Sequence, residues 1–248
     1  MTDRGLEEAI RAANRSRVGA ERVLTVEPVA GIARVIPRLD LYGEHHQATD
    51  VDDTDLARAQ ETDLARAQEY ALLAALLTRA PDKAFLQQLA KLRGDPTLLG
   101  VAHVGLAEAA ADAAAGEVER EFFELFIGIG RGELMPYGSY YIAGFLHERP
   151  LARLREDLAA LDIERVESQY ESEDHGAILC EIMSGIAGRR FPAPAGADRQ
   201  MFEKHLAPWI GRFFTDLERA EAADFYRRVG TLGRVFIDIE SEAFALAE

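Results

Sequence analysis

Apolar residues recur at intervals of three and four along most of this chain, the spacing that places side chains on one face of an α-helix. Segments rich in proline and glycine separate the apolar runs and are typical of turns and helix starts. No alternating series typical of a strand follows residue 53. The pattern therefore predicts an all-α fold in which about eight to ten helices pack ridges into grooves as a single globular domain. The predicted core faces are Tyr70, Leu73, Leu76 and Leu77; Val118, Phe122, Leu125 and Phe126; Ile178, Ile182 and Ile186; Phe202, Leu206, Trp209 and Phe213; and Phe225, Val229, Leu232 and Phe236.

The first part of the chain has a different composition. A run that favours β-structure is interrupted by two prolines, and a polar, acidic linker follows it. This linker contains the adjacent His45 and His46, which we interpret as solvated rather than metal-binding. We therefore predict a less regular N-terminal extension and acidic linker at residues 1–53, and an all-helical domain at residues 54–248.

A perfect tandem repeat of eight residues begins the predicted helical domain. The sequence Thr-Asp-Leu-Ala-Arg-Ala-Gln-Glu occupies residues 54–61 and again residues 62–69. Eight residues make about 2.2 helical turns, so one helix can accommodate both copies. Two copies of so short a unit are not a solenoid, which needs longer units and at least about three of them. We interpret the repeat as a local duplication that extends one helix and predict that one copy is dispensable.

The charge of the chain excludes several classes of partner. It has 28 basic and 43 acidic residues and a net charge of -15, which disfavours binding to nucleic acid or to anionic lipid. No apolar stretch is long enough to cross a membrane, and residues 1–20 carry charges where a signal peptide needs apolar residues, so we expect a cytoplasmic protein. The single cysteine, Cys180, excludes an intramolecular disulfide and is predicted to be a buried thiol without a reactive role.

A glycine-rich segment at residues 128–132 has two interpretations. Gly-Ile-Gly-Arg-Gly is similar to a loop that holds phosphate, but no strand precedes it and no Gly-Lys-Ser/Thr follows it. The alternative is a helix that ends after Ile127, with glycines adopting the positive φ angles of the helix exit. The second interpretation is favoured, and a nucleotide-regulated helical adaptor remains the alternative function.

The pair Asp174-His175 also allows more than one interpretation. A carboxylate beside an imidazole can form a general base, yet no nucleophile is evident in the sequence. A metal site that adds Glu171 and Glu181 is disfavoured because adjacent residues of a helix point in different directions. The structural interpretation is a helix start, with Ser172 as the N-cap and acidic residues in the first turn.

The segment at residues 135–141, Met-Pro-Tyr-Gly-Ser-Tyr-Tyr, is the most unusual in the chain. Tyrosines after a Pro-Tyr turn can form a rigid amphipathic surface for a peptide at low entropic cost. A loop packed into the core explains the same residues equally well. The residues alone leave both interpretations open.

Taken in order along the chain, these motifs resemble the TorD/DmsD/NarJ family of redox-enzyme maturation chaperones. The resemblance extends from about Tyr70 to Ala245 and includes a leucine-rich first helix and aromatic closing helices. Two departures concern the motifs themselves, since the family often has Pro at the position of Ser172 and Trp at that of Tyr137. The motifs that carry the resemblance are Leu125-Phe126 before a glycine turn, Pro136-Tyr137-x-Ser139, Glu171-x-x-Asp174-His175 and Phe202-x-x-His205-Leu206-x-x-Trp209.

The resemblance implies a cytoplasmic chaperone that binds the twin-arginine signal peptide of a molybdopterin-containing oxidoreductase and assists cofactor insertion before export. Its partners would be that signal peptide and the apo form of the enzyme, with no cofactor or metal of its own and no catalytic residues. A monomer and a domain-swapped homodimer both remain open, as does a metal-assisted enzyme that uses Asp174 and His175. The implied peptide-binding residues are Leu125, Phe126, Pro136, Tyr137 and Tyr140 for the apolar part, Asp174 and His175 for the polar edge, and Ser139 for the turn.

Overall fold

The computed structural model describes residues 32–35, 53–165 and 171–246. These residues form ten α-helices and two short strands, so the predicted all-α class and number of helices are confirmed. The helices are α1 (Asp53–Thr78), α2 (Lys83–Leu89), α3 (Leu98–Asp112), α4 (Ala115–Phe122), α5 (Gly138–Ala143), α6 (Arg149–Ala160), α7 (Gly176–Ala187), α8 (Ala197–Met201), α9 (Ile210–Arg219) and α10 (Phe225–Leu246). Single π-helical turns continue α4 and α8, at Phe123–Ile127 and Phe202–Leu206.

One of the two strands was not predicted from the sequence. Strand β1 (Ile32–Val35) pairs antiparallel with β2 (Ile163–Arg165). Strand β1 overlaps, at Val35, the run predicted to favour β-structure, whereas β2 follows residue 53, where no alternating series indicates a strand. Three residues are too few to display an alternating pattern, and the strand exists because a distant segment provides its hydrogen bonds. The histidine pair and most of the predicted N-terminal extension lie outside the described residues.

The core is built around α7, all twelve residues of which are buried. Helix α7 packs along α1, and α10 packs against α9 and α3. All the predicted core faces lie in this interior or pack against it. Cys180 is fully buried on α7, and burial raises the pKa of its thiol to about 12. The buried thiol predicted from the sequence is thus confirmed.

Both copies of the tandem repeat lie in α1, as predicted. The second copy contacts the body of the protein. Arg66 donates to both oxygens of Glu240 over 2.8 and 2.9 Å and to Asp198 over 3.0 Å. Glu240 is buried and also accepts a hydrogen bond from the Tyr70 hydroxyl. The arginine of the second copy therefore ties α1 to α10.

The glycine-rich segment is a helix exit, as the favoured interpretation predicted. The π-helical turn ends at Ile127, and Gly128 and Gly130 have φ angles of 60° and 95°. A β-carbon at Gly128 would lie 2.0 Å from the carbonyl oxygen of Arg131, so this position excludes any larger residue. The tight loop that results returns the chain toward residues 135–141.

Among the described residues, no single helix is long and apolar enough to cross a membrane. Taken together, the neighbouring helices Leu98–Asp112 and Ala115–Ile127 are long and apolar enough, but their axes are bent by 115° relative to each other.

Candidate functional site

The structure brings the two sequence motifs together in a single junction, which we define as residues 136–139 paired with residues 171–176. Tyr137 and His175 form an antiparallel bridge. The amide of Gly138 donates to the carbonyl of Asp174 over 2.9 Å, and the amide of Gly176 donates to the carbonyl of Pro136 over 2.8 Å. Residues that are about 35 positions apart in sequence thus share one short ladder at the start of α7.

The carboxylate of Asp174 fastens the junction. One oxygen accepts the backbone amide of Ser139 over 2.8 Å, and the other accepts the hydroxyl of Ser172 over 2.6 Å. Asp174 and Ser139 are buried, and the Ser139 hydroxyl accepts the amide of His147 over 3.2 Å. A buried carboxylate is stable only when hydrogen bonds replace the lost water. Asp174 therefore acts as an internal latch between the loop before α5 and the loop before α7.

His175 is the N-cap of α7. Its Nδ1 accepts the backbone amide of Ala177 over 3.1 Å, and burial lowers the pKa of the ring to about 4. The imidazole is thus a neutral acceptor in the folded protein at ordinary pH. The sequence prediction that Ser172 caps this helix was wrong, because Ser172 donates its hydroxyl to Asp174 and the helix begins at Gly176.

Tyr137 and Glu171 form the accessible side of the junction. The ring of Tyr137 meets His175 edge to face at 4.9 Å, and its hydroxyl donates to the exposed carboxylate of Glu171. Burial and this carboxylate raise the pKa of Tyr137 above its ordinary range. The phenol is therefore held in one orientation, and part of the Tyr137 side chain remains accessible to solvent or to a ligand.

A second aromatic group continues from the junction along α5. Tyr141 packs on Trp209 at 5.6 Å and on Phe213 at 6.0 Å, whereas Tyr140 is half-buried. Beyond them, Ile142 is 45% and Phe145 is 71% exposed. Neither residue is predicted from the sequence to belong to the site. Their apolar character was visible in the sequence, but a helix of six residues is too short for its pattern to show which face is outward.

The remaining predicted site residues support the site from the inside. Leu125 is fully buried and Pro136 is buried, so neither presents a surface to a ligand in this structure. Phe126 packs edge to face on Phe122 at 5.0 Å and on Tyr226 at 5.4 Å. These side chains fix the loop that precedes the junction.

The catalytic alternatives can be compared with this geometry. The Asp174 carboxylate accepts hydrogen bonds from Ser139 and Ser172, and Nδ1 of His175 caps the helix. The carboxylate and the imidazole are therefore not hydrogen-bonded to each other as a general base would require. In the ranges that the structure describes, no group of three His, Cys, Asp or Glu side chains is arranged to hold a metal ion. Two other histidines pair with carboxylates: His103 with Glu69 over 2.7 Å and His205 with Asp157 over 2.7 Å.

The chain is similar to several known proteins. Residues 93–215, which include every predicted site residue, match the family model of the nitrate reductase delta subunit. A TorD chaperone from Vibrio cholerae is 25% identical over 49% of this chain and 59% of its own length. TorD chaperones from Vibrio atlanticus and Aliivibrio fischeri are 22% and 24% identical, each over 52% of this chain and 65% of its own length. The chain thus spans less than two thirds of the length of these relatives.

A solved structure, described as a redox enzyme maturation protein from Archaeoglobus fulgidus, is similar over 82% of this chain and 99% of its own. Its sequence is 18% identical and its TM-score is 0.42, a value too low to carry an argument.

Proposed function

We propose, from the membership of this chain in the TorD/DmsD/NarJ family, that it is a cytoplasmic maturation chaperone for a molybdopterin-containing oxidoreductase. It binds the signal peptide of the apo enzyme and delays export until the cofactor has been inserted. The observation that carries the proposal is the match of residues 93–215 to the family, because this range contains both motifs that form the junction. The protein is a binding partner rather than a catalyst.

The chemistry of such a leader suits the accessible surface next to the junction. A twin-arginine signal peptide presents two arginines ahead of an apolar run that can form a helix, and apolar runs of this kind bind in grooves through a few side-chain anchors. Tyr137, Tyr140, Ile142 and Phe145 offer aromatic and aliphatic surface, with Glu171 as the neighbouring exposed carboxylate. The net charge of -15 attracts a basic peptide at long range, and salt weakens this attraction.

Within this proposal, the predicted site residues have two kinds of role. Tyr137 and Tyr140 contact the leader, and Phe126 supports the loop before the junction from the inside. The buried Asp174 and His175 hold the junction in shape and thereby position the tyrosines. The other buried site residues, Leu125, Pro136 and Ser139, contribute in the same indirect way.

The proposal is tested by titrating labelled twin-arginine signal peptides from the molybdoenzymes of the same organism. Ile142→Ala and Phe145→Ala remove exposed apolar groups, so both variants keep the fold. We expect each to weaken binding by about fivefold to thirtyfold, the equivalent of about 1–2 kcal/mol for a buried apolar anchor. Ile239→Ala is the matched control, because Ile239 is 40% exposed on α10, compared with 45% for Ile142.

The outcomes separate clearly. Weakened binding in the two α5-side variants with an unchanged control supports the proposed surface. Equal affinity in all four proteins would exclude the surface, and no binding by the wild type would exclude the signal-peptide function.

A further inference from the structure

The outward face of α3 changes from apolar to acidic along its length. Its first two turns present three aliphatic side chains to solvent: Leu98 is 78%, Val101 is 60% and Val104 is 37% exposed. The opposite face carries the buried residues of this helix and packs against α10 and α2. Following the 3.6-residue periodicity, the same outward face continues through Gly105 to Glu108 and Asp112.

The acidic half of this face forms one wall of a cleft of about 350 Å³. The start of α4 and the start of α10 form the other walls. The charges that line the cleft are five carboxylates and one guanidinium, from Glu108, Asp112, Glu117, Glu121, Asp224 and Arg228. The cleft therefore carries a large excess of negative charge.

Among the contacts between described residues, Glu121 is the one carboxylate of this set that the fold uses fully. Glu121 accepts the backbone amides of Asp224, Phe225 and Tyr226 at the start of α10 over 2.7–3.1 Å. In the described part of the chain, no ion pair or hydrogen bond engages the carboxylates of Glu108 and Asp112. Their charges are therefore open to a cation that enters the cleft. A β-carbon at Gly105 would lie 3.9 Å from Cδ of Arg228, so the absence of a side chain at Gly105 leaves space beside the arginine.

The size of the face sets the kind of ligand that fits it. From Val101 to Glu108 the rise along α3 is about 10 Å, at about 1.5 Å per residue. An extended peptide spans this distance with about three residues, and a helical one with about seven. A segment that carries cationic side chains at one end and aliphatic side chains within that distance matches both halves of the face at once.

We propose that this face of α3 and the adjoining cleft form a docking surface for the basic end of the client signal peptide. The arginine pair enters the cleft beside Glu108 and Asp112, and the first apolar residues of the leader cover Leu98 and Val101. The inference rests on the proposed function and deepens it, because it locates the arginines away from the junction. Charge complementarity selects this occupant, since an anionic lipid surface or a nucleic acid would be repelled by the same carboxylates.

Burial at the junction supports this location for the arginines. The carboxylate of Asp174 already accepts two hydrogen bonds and is closed to solvent. Two guanidinium groups bind best to several carboxylates whose oxygens are not already hydrogen-bonded, because charge-assisted hydrogen bonds to arginine are strongest when they are bidentate. The cleft offers this arrangement and the interior of the junction does not.

The test is a double-mutant cycle with two leader peptides and variants of the full chain. The peptides are one of the native signal peptides used above and a form of it with both arginines changed to glutamine. The cleft variant is Glu108→Gln with Asp112→Asn, and the control is Glu156→Gln with Glu242→Gln, which changes the net charge by the same amount at exposed positions elsewhere. All four substitutions are at exposed residues, so unchanged circular dichroism is expected.

The cleft variant should bind the native peptide about tenfold to a hundredfold more weakly than the control variant does. Loss of the two peptide arginines should weaken binding to the wild type by a similar factor and have little further effect on the cleft variant. Val101→Ser should also weaken binding, whereas Ile239→Ser should not.

Three results would overturn the inference. If the cleft variant and its control bind the native peptide equally while the wild type binds it well, the arginines lie elsewhere and the proposed function stands. If the wild type binds neither peptide, the proposed function falls and takes this inference with it. If Val101→Ser abolishes binding to phosphatidylcholine vesicles and leaves peptide binding unchanged, the face is a lipid surface instead.

Discussion

The substitution Asp174→Ala tests whether this carboxylate is an internal latch. It removes acceptors from two buried donors, the amide of Ser139 at 2.8 Å and the hydroxyl of Ser172 at 2.6 Å. A hydrogen bond to a charged group contributes about 1.5–3 kcal/mol, so the two together correspond to about 3–6 kcal/mol before relaxation. Relaxation that lets water reach the donors reduces the cost, and we expect a loss of about 3–4 kcal/mol in the free energy of unfolding. That is a large fraction of the roughly 5–15 kcal/mol that stabilises a typical domain.

The assay is urea unfolding followed by circular dichroism. Asp216→Ala is the control, since it removes a carboxylate that accepts one hydrogen bond, from the Tyr141 hydroxyl at 3.0 Å, at an exposed position. The control should lose about 1 kcal/mol or less. A loss below about 1 kcal/mol for Asp174→Ala would refute the latch, and Asp174 would then be available as the polar edge of a binding site.

Four further predictions concern stability. Arg66→Ala leaves the buried Glu240 without its bidentate partner and should cost about 3–5 kcal/mol in the free energy of unfolding, measured in urea. Deletion of residues 54–61 yields the same sequence as deletion of residues 62–69, so the shortened helix keeps one such arginine before Tyr70. This deletion should lower Tm by no more than about 3 °C. Burial raises the pKa of Glu181 to about 7, so the folded protein keeps a proton that the unfolded chain releases near pH 4.5. The resulting contribution to stability is complete below pH 4.5 and is lost as the pH rises to about 7. Glu181→Gln should therefore flatten the dependence of the unfolding free energy on pH between pH 4 and 8, and an unchanged dependence would contradict the assignment. The pKa of His175 is lowered to about 4, so the contribution of its neutral ring to stability is complete above pH 6.5 and is lost as the pH falls toward 4. His175→Asn should keep the helix cap and change the free energy of unfolding by a few tenths of a kcal/mol, whereas His175→Ala should cost about 1 kcal/mol. Equal costs for the two variants would show that the cap is unimportant.

The helical core could be predicted from the sequence because burial on a helix leaves a local, periodic trace. Leu73 and Val229 each belong to such a series, and each is fully buried. The helix exit at Gly128 was also predictable, because only glycine readily adopts its positive φ. These features depend on a few neighbouring residues.

The long-range contacts could not be predicted in the same way. The preference for serine at helix starts pointed to Ser172, but its hydroxyl is instead bonded to Asp174. Asp174 is in turn held by Ser139, which lies 35 positions earlier in the chain. Strand β2 exists because it has a partner about 130 positions earlier in the chain. The outward direction of Phe145 depends on how α5 packs on Trp209, through Tyr141, and nothing in the nearby sequence specifies it.

The most direct test of the chaperone claim is the molybdenum content of the client enzyme, measured after purification from cells with and without this protein. With the gene deleted, we expect the client to contain less than about a tenth of the molybdenum found in the presence of the wild-type protein. Wild type and Ile239→Ser should restore loading, and the double variant Ile142→Ser/Phe145→Ser should not. Full molybdenum loading of the client in the absence of the protein would contradict the account.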